Sequence, residues 1–268
     1  MAGIMTRAGM IAARLPLSVR LSSPPRSYLI VYQDQLTLAS VKAVRVTSSI
    51  CRLNSTYAKH IDTLDIRMGR DEFIAVLDHI NAILRRAENI AVLSLIVDHL
   101  PAALQTRVYR GVFLPKLWSL SVSSSSQQAL RLFLHTHRHT LRHLRLATSQ
   151  RRSTMVSPPD LPLLGLNSII GPTTSVAKIL SHCDHGSNLA ICLTRETRSL
   201  DIQHQHPIVF HQHFVTNLCI VLQPRDYRVL LSLAMHFPHL RCLKVIEKGA
   251  GRTHVWSNQQ VWMQALRT

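Results

Sequence analysis

The chain has 268 residues, of which 46% are hydrophobic and only 5% aromatic, and its 31 Lys and Arg against 14 Asp and Glu give a formal charge of +17. A chain of this length and content can bury a large core in one elongated domain or two small ones, filled by Leu, Val, Ile and Ala rather than by rings. The charge favours acidic partners. Without an RNP-like aromatic strand, Cys/His finger spacing or a basic zipper, nucleic acid is not the expected one. No apolar run approaches the ~20 residues that span a bilayer.

Residues 1–33 contain Arg7, Arg14, Arg20 and Arg26 and no acid, Asp34 being the first. Arg- and Ser-bearing, acid-free starts have the character of a mitochondrial presequence, and a basic flexible tail is the alternative. Residues 34–58 follow as a small, helical N-terminal cap or a remnant of another module.

From residue 59 onward short strand-like cores recur, each with apolar residues two or three apart. They are "HIDTLDIRM" around Leu64, "NIAVLSLIV" around Leu93, "LPKLWSLSV" around Leu120 and "TLRHLRLA" around Leu144. "LPLLGLNSIIG" around Ile169, "TNLCIVL" around Leu218 and "FPHLRCLKV" around Leu243 continue the series. The steps between these central residues are 29, 27, 24, 25, 49 and 25, and the long step holds a weaker copy, "LAICLT" (189–194) or "RSLDIQ" (198–203). Two of the copies, "FLPKLWSLSV" and "HFPHLRCLKV", share an apolar residue, Pro, a basic residue and Leu before the strand. Helical spacing of apolar residues fills the intervals over 71–88, 123–138, 173–183 and 224–237. In the first of these, Asp71 and Glu72 lie early and Arg85 and Arg86 late, as the helix dipole favours.

Strand and helix alternating at a period of roughly 20–29 residues, with the pattern L-x-x-L-x-L, is the signature of an irregular leucine-rich-repeat solenoid. The expected fold is therefore α/β, with parallel short strands stacked over residues 59–250. Residues 251–268 close the array as a cap or trail from it, with Trp256, Trp262 and Met263 as apolar contacts. An ordinary α/β domain would show alternation without a shared strand motif.

Catalytic signatures are missing from the sequence: there is no Gly-rich phosphate loop, no G-x-S-x-G and no H-E-x-x-H. His135, His139 and His143 have zinc-like spacing, but Arg138 and Arg142 crowd them and no carboxylate lies between Asp98 and Asp160. His204, His206, His211 and His213 form two H-x-H pairs, a weak metal pattern. The expectation is a protein with no enzymatic activity, no cofactor and no bound metal. Five cysteines without a C-x-x-C read as reduced thiols of a cytoplasmic or nuclear protein, or a mitochondrial one if residues 1–33 are a presequence. Arg142 and Arg145 are the candidate groove residues for an acidic or phosphorylated target.

The run from "LPKLWSLSV" through "LRHLRL" to "LNSIIGPTTSVAKILSHC" resembles the repeat region of fungal F-box proteins with leucine-rich repeats. Residues 36–61 are similar to the second half of an F-box, with the usual basic and aromatic positions replaced and no Leu-Pro-x-Glu start. The resemblance implies a substrate-recognition subunit of an SCF ubiquitin ligase, holding a target protein in its repeat groove. It also implies docking of a Skp-type adaptor on an apolar face of Leu38, Val41, Val44, Val46 and Ile50. A cap over the first repeat is the alternative role for those five.

Overall fold

The computed structural model describes residues 35–97, 99–123, 127–146, 163, 165–180, 189–196, 215–222, 229–230, 233, 237–248 and 253–256. The reading of residues 1–33, the H-x-H pairs and the alternative copy at 198–203 lie outside them.

Strand and helix alternate from the start. β1 (Gln35–Leu38) is followed by α1 (Val41–Leu53) and α2 (Ser55–Lys59), β2 (Thr63–Ile66) by α3 (Arg70–Arg86), and β3 (Val92–Ile96) by α4 (Ala102–Tyr109). β4 (Ser119–Ser123) leads to α5 (Gln127–Thr136), β5 (His143–Leu146) to β6 (Ser168–Gly171), and α6 (Thr173–Leu180) to β7 (Leu189–Glu196). β8 (Val215–Leu222), β9 (Cys242–Glu247) and β10 (Thr253–Trp256) complete the order. Of the helix expected over 224–237, Val229, Leu230, Leu233 and Phe237 are described; all four are buried, the first three are helical, and Phe237 already lies outside the helix.

All ten strands form one sheet in chain order, with β1 to β9 parallel and β10 antiparallel to β9. Parallel strands joined by right-handed crossovers and laid down without a reversal of order carry every connection on the same face. A doubly wound domain would instead reverse direction and open a crevice at the switch point. The described residues thus form a solenoid-like α/β stack, with strands in chain order and no switch point.

The register explains the sequence period. Leu36, Leu64, Leu93, Leu120, Leu144, Ile169, Ile191, Leu218 and Leu243 are successive Cα partners across nine strands. From Leu64 to Leu243 each is at most 2% exposed. Ile191 identifies "LAICLT" as the copy inside the long step. Two residues before the ladder positions on β2 to β5, one carbonyl takes two backbone N–H groups from the next unit. Asp62 O accepts from Ala91 and Val92 at 2.7 and 3.1 Å, and Ala91 O from Trp118 and Ser119 at 3.0 and 3.1 Å. Trp118 O accepts from Arg142 and His143 at 2.8 and 2.9 Å, and Arg142 O from Asn167 and Ser168 at 2.8 and 3.0 Å. The duplicated Pro motif is a turn preceding the strand: Leu117 N donates to Leu114 O at 3.0 Å, and Leu240 N to Phe237 O at 3.2 Å. Pro supplies the fixed φ that the second position of such a turn needs.

The helices close the core from one side. Along α3, Phe73, Val76, Leu77, Ile80, Ile83 and Leu84 are buried, while Gly69 N donates to Glu72 Oε2 at 3.3 Å to finish the helix start. Each fully buried aliphatic side chain contributes about 1.5–3 kcal/mol. Since no unit can bury both sides of its strand alone, the neighbours are part of each unit's core.

The beginning differs from the helical cap expected over 34–58. β1 pairs with β2 in the same register as all later strands, and α1 packs beside α3. This segment is a strand–helix unit of the stack. Ser40 and Asn54 cap its two helices, accepting from Ala43 N at 3.2 Å and Tyr57 N at 3.1 Å.

Candidate interaction surface

Because strand side chains alternate, the residues flanking the buried ladder point away from the helices. Two outward rows result. One follows the ladder by one residue: Thr37, Asp65, Ser94, Ser121, Arg145, Ile170, Cys192, Cys219 and Lys244 are successive partners. The other precedes it by one, running from Gln35 through Ser119, His143 and Ser168 to Asn217 and Cys242. This open face is mostly polar over β1 to β4, with Val92 as an apolar member, and becomes basic and thiol-bearing over β5 to β9.

Its polar groups are partly tied to each other. His143 Nδ1 and Ser168 Oγ lie 2.7 Å apart on neighbouring strands, and the Trp118 ring meets His143 edge-on with centroids 5.0 Å apart. At the first strands Asp65 is neutralised by Arg67 at 2.7 Å. Arg145 and Lys244 are exposed, so the net field over the later strands is positive.

The two groove arginines named from the sequence separate. Arg145 stands on the open face. Arg142 lies just before β5, and its Nη1 donates to the carbonyl oxygen of Gly165 at 2.9 Å. The five residues of the expected adaptor face separate too. Leu38 and Val44 are in the core, at 1% and 0% exposed, and Val41 packs half-buried against it. Val46 and Ile50 are 49% and 36% exposed. Leu53, at 81%, joins these two at helical spacing to make an outward apolar stripe along α1. Sequence reasoning missed Leu53, although the i, i+4, i+7 spacing was there to find it.

The zinc-like histidines do not converge. Arg138 binds both His139 Nε2 at 3.0 Å and His135 Nε2 at 3.1 Å, and no metal-holding group of three or more ligands occurs among the described residues. On the helix side, a cleft of about 440 Å³ opens between α4 and α5, lined by Tyr109, Arg110, Phe113, Leu132 and Phe133 among others. Phe113 and Leu132 are exposed there, at 59% and 57%.

No helix among the described residues is long and apolar enough to cross a membrane. No protein-family model matches the chain, and no curated protein matches it either. The fold and its open face define a solenoid-like α/β protein of stacked strand–helix units.

Proposed function

We propose that the chain is a non-enzymatic recognition protein of the leucine-rich-repeat type, holding a partner protein on the open face of its sheet. The observation that carries this is the pair of outward rows running unbroken across nine strands, uncovered by any described helix. Such a surface offers many weak, spaced contacts to an extended partner. Arg145 and Lys244 favour an acidic segment of that partner over the later strands. The test is photo-crosslinking in cells with p-benzoylphenylalanine at Ser121, on the open face, and at Leu132, on the helix side. A discrete protein adduct at Ser121 and none at Leu132 supports the proposal; adducts confined to Leu132 overturn it.

A second, narrower reading is an F-box-type adaptor of an SCF ubiquitin ligase. The α1 stripe of Val46, Ile50 and Leu53 favours it, as an apolar helix side open to a Skp-type adaptor. Co-precipitation of the adaptor with the full chain and with an I50D/L53D variant tests this reading. Capture that the variant loses supports it. Failure of the full chain to capture the adaptor removes it and leaves a repeat scaffold that binds its partner without a ubiquitin-ligase role.

A further inference from the structure

We propose that Cys192 and Cys219 are a peroxide-responsive thiol pair on the open sheet face, closing reversibly to an intramolecular disulfide. The two are Cα partners on β7 and β8. Neighbouring strands lie about 4.8 Å apart, inside the ~4.4–6.8 Å Cα range that disulfides span. Both thiols are half-buried rather than sealed in the core. Lys244 stands beside Cys219 in the same row, Cys242 is diagonal to it on β9, and Arg145 lies beyond Ile170 on the other side. Cys51 is the internal contrast: it is 2% exposed in the core, and burial pushes its thiol up.

The surroundings divide the labour between the two sulfurs. Cys219 hydrogen-bonds to Cys192, and Lys244 and Arg145 add positive field against the opposing effect of burial, so Cys192 is held down to about 7. The same hydrogen bond, with burial, pushes Cys219 well above the usual thiol range. Of the two, Cys192 ionises more readily, which assigns it as the attacking cysteine and Cys219 as the resolving one.

The chemistry balances with hydrogen peroxide as the oxidant. The Cys192 thiolate attacks one peroxide oxygen; an S–O bond forms, the O–O bond breaks and hydroxide leaves, giving the sulfenic acid. Cys219 then attacks the Cys192 sulfur; the S–S bond forms, the S–O bond breaks, and the Cys219 proton leaves with the oxygen as water. The hydroxide takes up the proton that Cys192 released on ionising, so two thiols lose two electrons and one peroxide becomes two waters. In-register side chains on parallel strands hold their Cβ atoms near the strand spacing, wider than the ~3.8 Å of a relaxed disulfide. The bridge must draw β7 and β8 together, which makes it easy to reduce and so reversible. This depends on strand register and the charges beside the pair, and stands whichever partner the face holds.

The reduced full chain is first pulsed with iodoacetamide at pH 7, and labelling is compared by peptide mapping. Cys192 is expected to react roughly tenfold faster than Cys51. A second sample is treated with hydrogen peroxide, blocked with N-ethylmaleimide and mapped. A Cys192–Cys219 cross-link that dithiothreitol reverses is expected. In Cys219→Ser, dimedone is expected to trap the sulfenic acid on Cys192. Labelling of Cys192 no faster than Cys51, no cross-link, or a cross-link from Cys192 to Cys183 or Cys242 instead overturns the proposal.

Discussion

The backbone N–H of Leu114 donates to Nε2 of His137 at 3.0 Å, and His137 Nδ1 lies 2.7 Å from the carbonyl oxygen of Phe133. Nε2 accepts, so Nδ1 carries the proton and the imidazole is neutral. The ring is 2% exposed and joins the end of α5 to the Pro turn that precedes β4. One side chain thus fixes both a helix end and the start of a strand.

Burial lowers the His137 pKa, with the bond to Phe133 partly opposing it. The sign follows: below the unfolded value of about 6.5, the unfolded chain binds a proton that the folded chain resists. This stabilisation is complete above that pH and is lost as pH falls toward the lowered folded value. Urea unfolding from pH 7.5 to 5.5 should show a steeper loss for wild type than for His137→Gln. His137→Ala should cost about 2–3 kcal/mol at pH 7.5, because it leaves the Leu114 N–H buried without a partner.

Asn81 clamps two units together. Its amide on α3 donates to Arg107 O, Val108 O and Arg110 O at 3.1, 2.9 and 3.0 Å, satisfying the terminal carbonyls of α4. Asn81→Ala should cost about 1–2 kcal/mol in denaturant unfolding. Asn81→Asp should cost more than Ala, since a carboxylate cannot donate and faces the negative helix end. Equal effects would show that the carbonyls find other donors.

Gly165 and Gly111 both have positive φ, at 76° and 68°. A Cβ on Gly165 would collide with Nη1 of Arg142, whereas at Gly111 the nearest atom is Arg85 Nε at 3.6 Å. Gly111→Ala should cost about 1 kcal/mol of backbone strain. Gly165→Ala should exceed it, because Arg142 must also give up its bond to the Gly165 carbonyl. Thermal unfolding of the two variants gives the order.

Tyr109 is buried against Phe133, with centroids 4.8 Å apart, and its hydroxyl has no hydrogen-bond partner. Burial pushes its phenol above the ordinary range. Tyr109→Phe removes an unsatisfied polar atom and should raise stability by about 1 kcal/mol, read as a higher Tm. A drop of that size would mean that the hydroxyl is bonded in solution.

The ladder was readable because one apolar position per unit recurs at near-constant spacing. Ile191 was the uncertain rung, since "LAICLT" and "RSLDIQ" both fit the interval. β1 was hidden by its reading together with 34–58 as a cap, though Leu36 lies 28 residues before Leu64. α1 misled for a local reason: Thr47 and Ser48 occupy buried positions beside Val44 and Cys51, so its apolar residues do not mark its buried side. Arg142 and Arg145 separated because only even spacings share a strand face. The Cys192–Cys219 pair needs register to be seen, yet both follow a ladder residue by one, as do Arg145 and Lys244. Asn81 acts through the neighbouring unit's helix end, which no local pattern reveals.

The most direct test of the stack measures strand order in solution. Spin labels carried on p-acetylphenylalanine at Thr37, Arg145 and Lys244 sit on one outward row, on β1, β5 and β9. With strands in chain order, pulsed dipolar spectroscopy should give a Thr37–Lys244 distance about twice that of Thr37–Arg145, near ~38 Å against ~19 Å before sheet curvature shortens both. A Thr37–Lys244 distance no longer than Thr37–Arg145 would contradict the continuous nine-strand face.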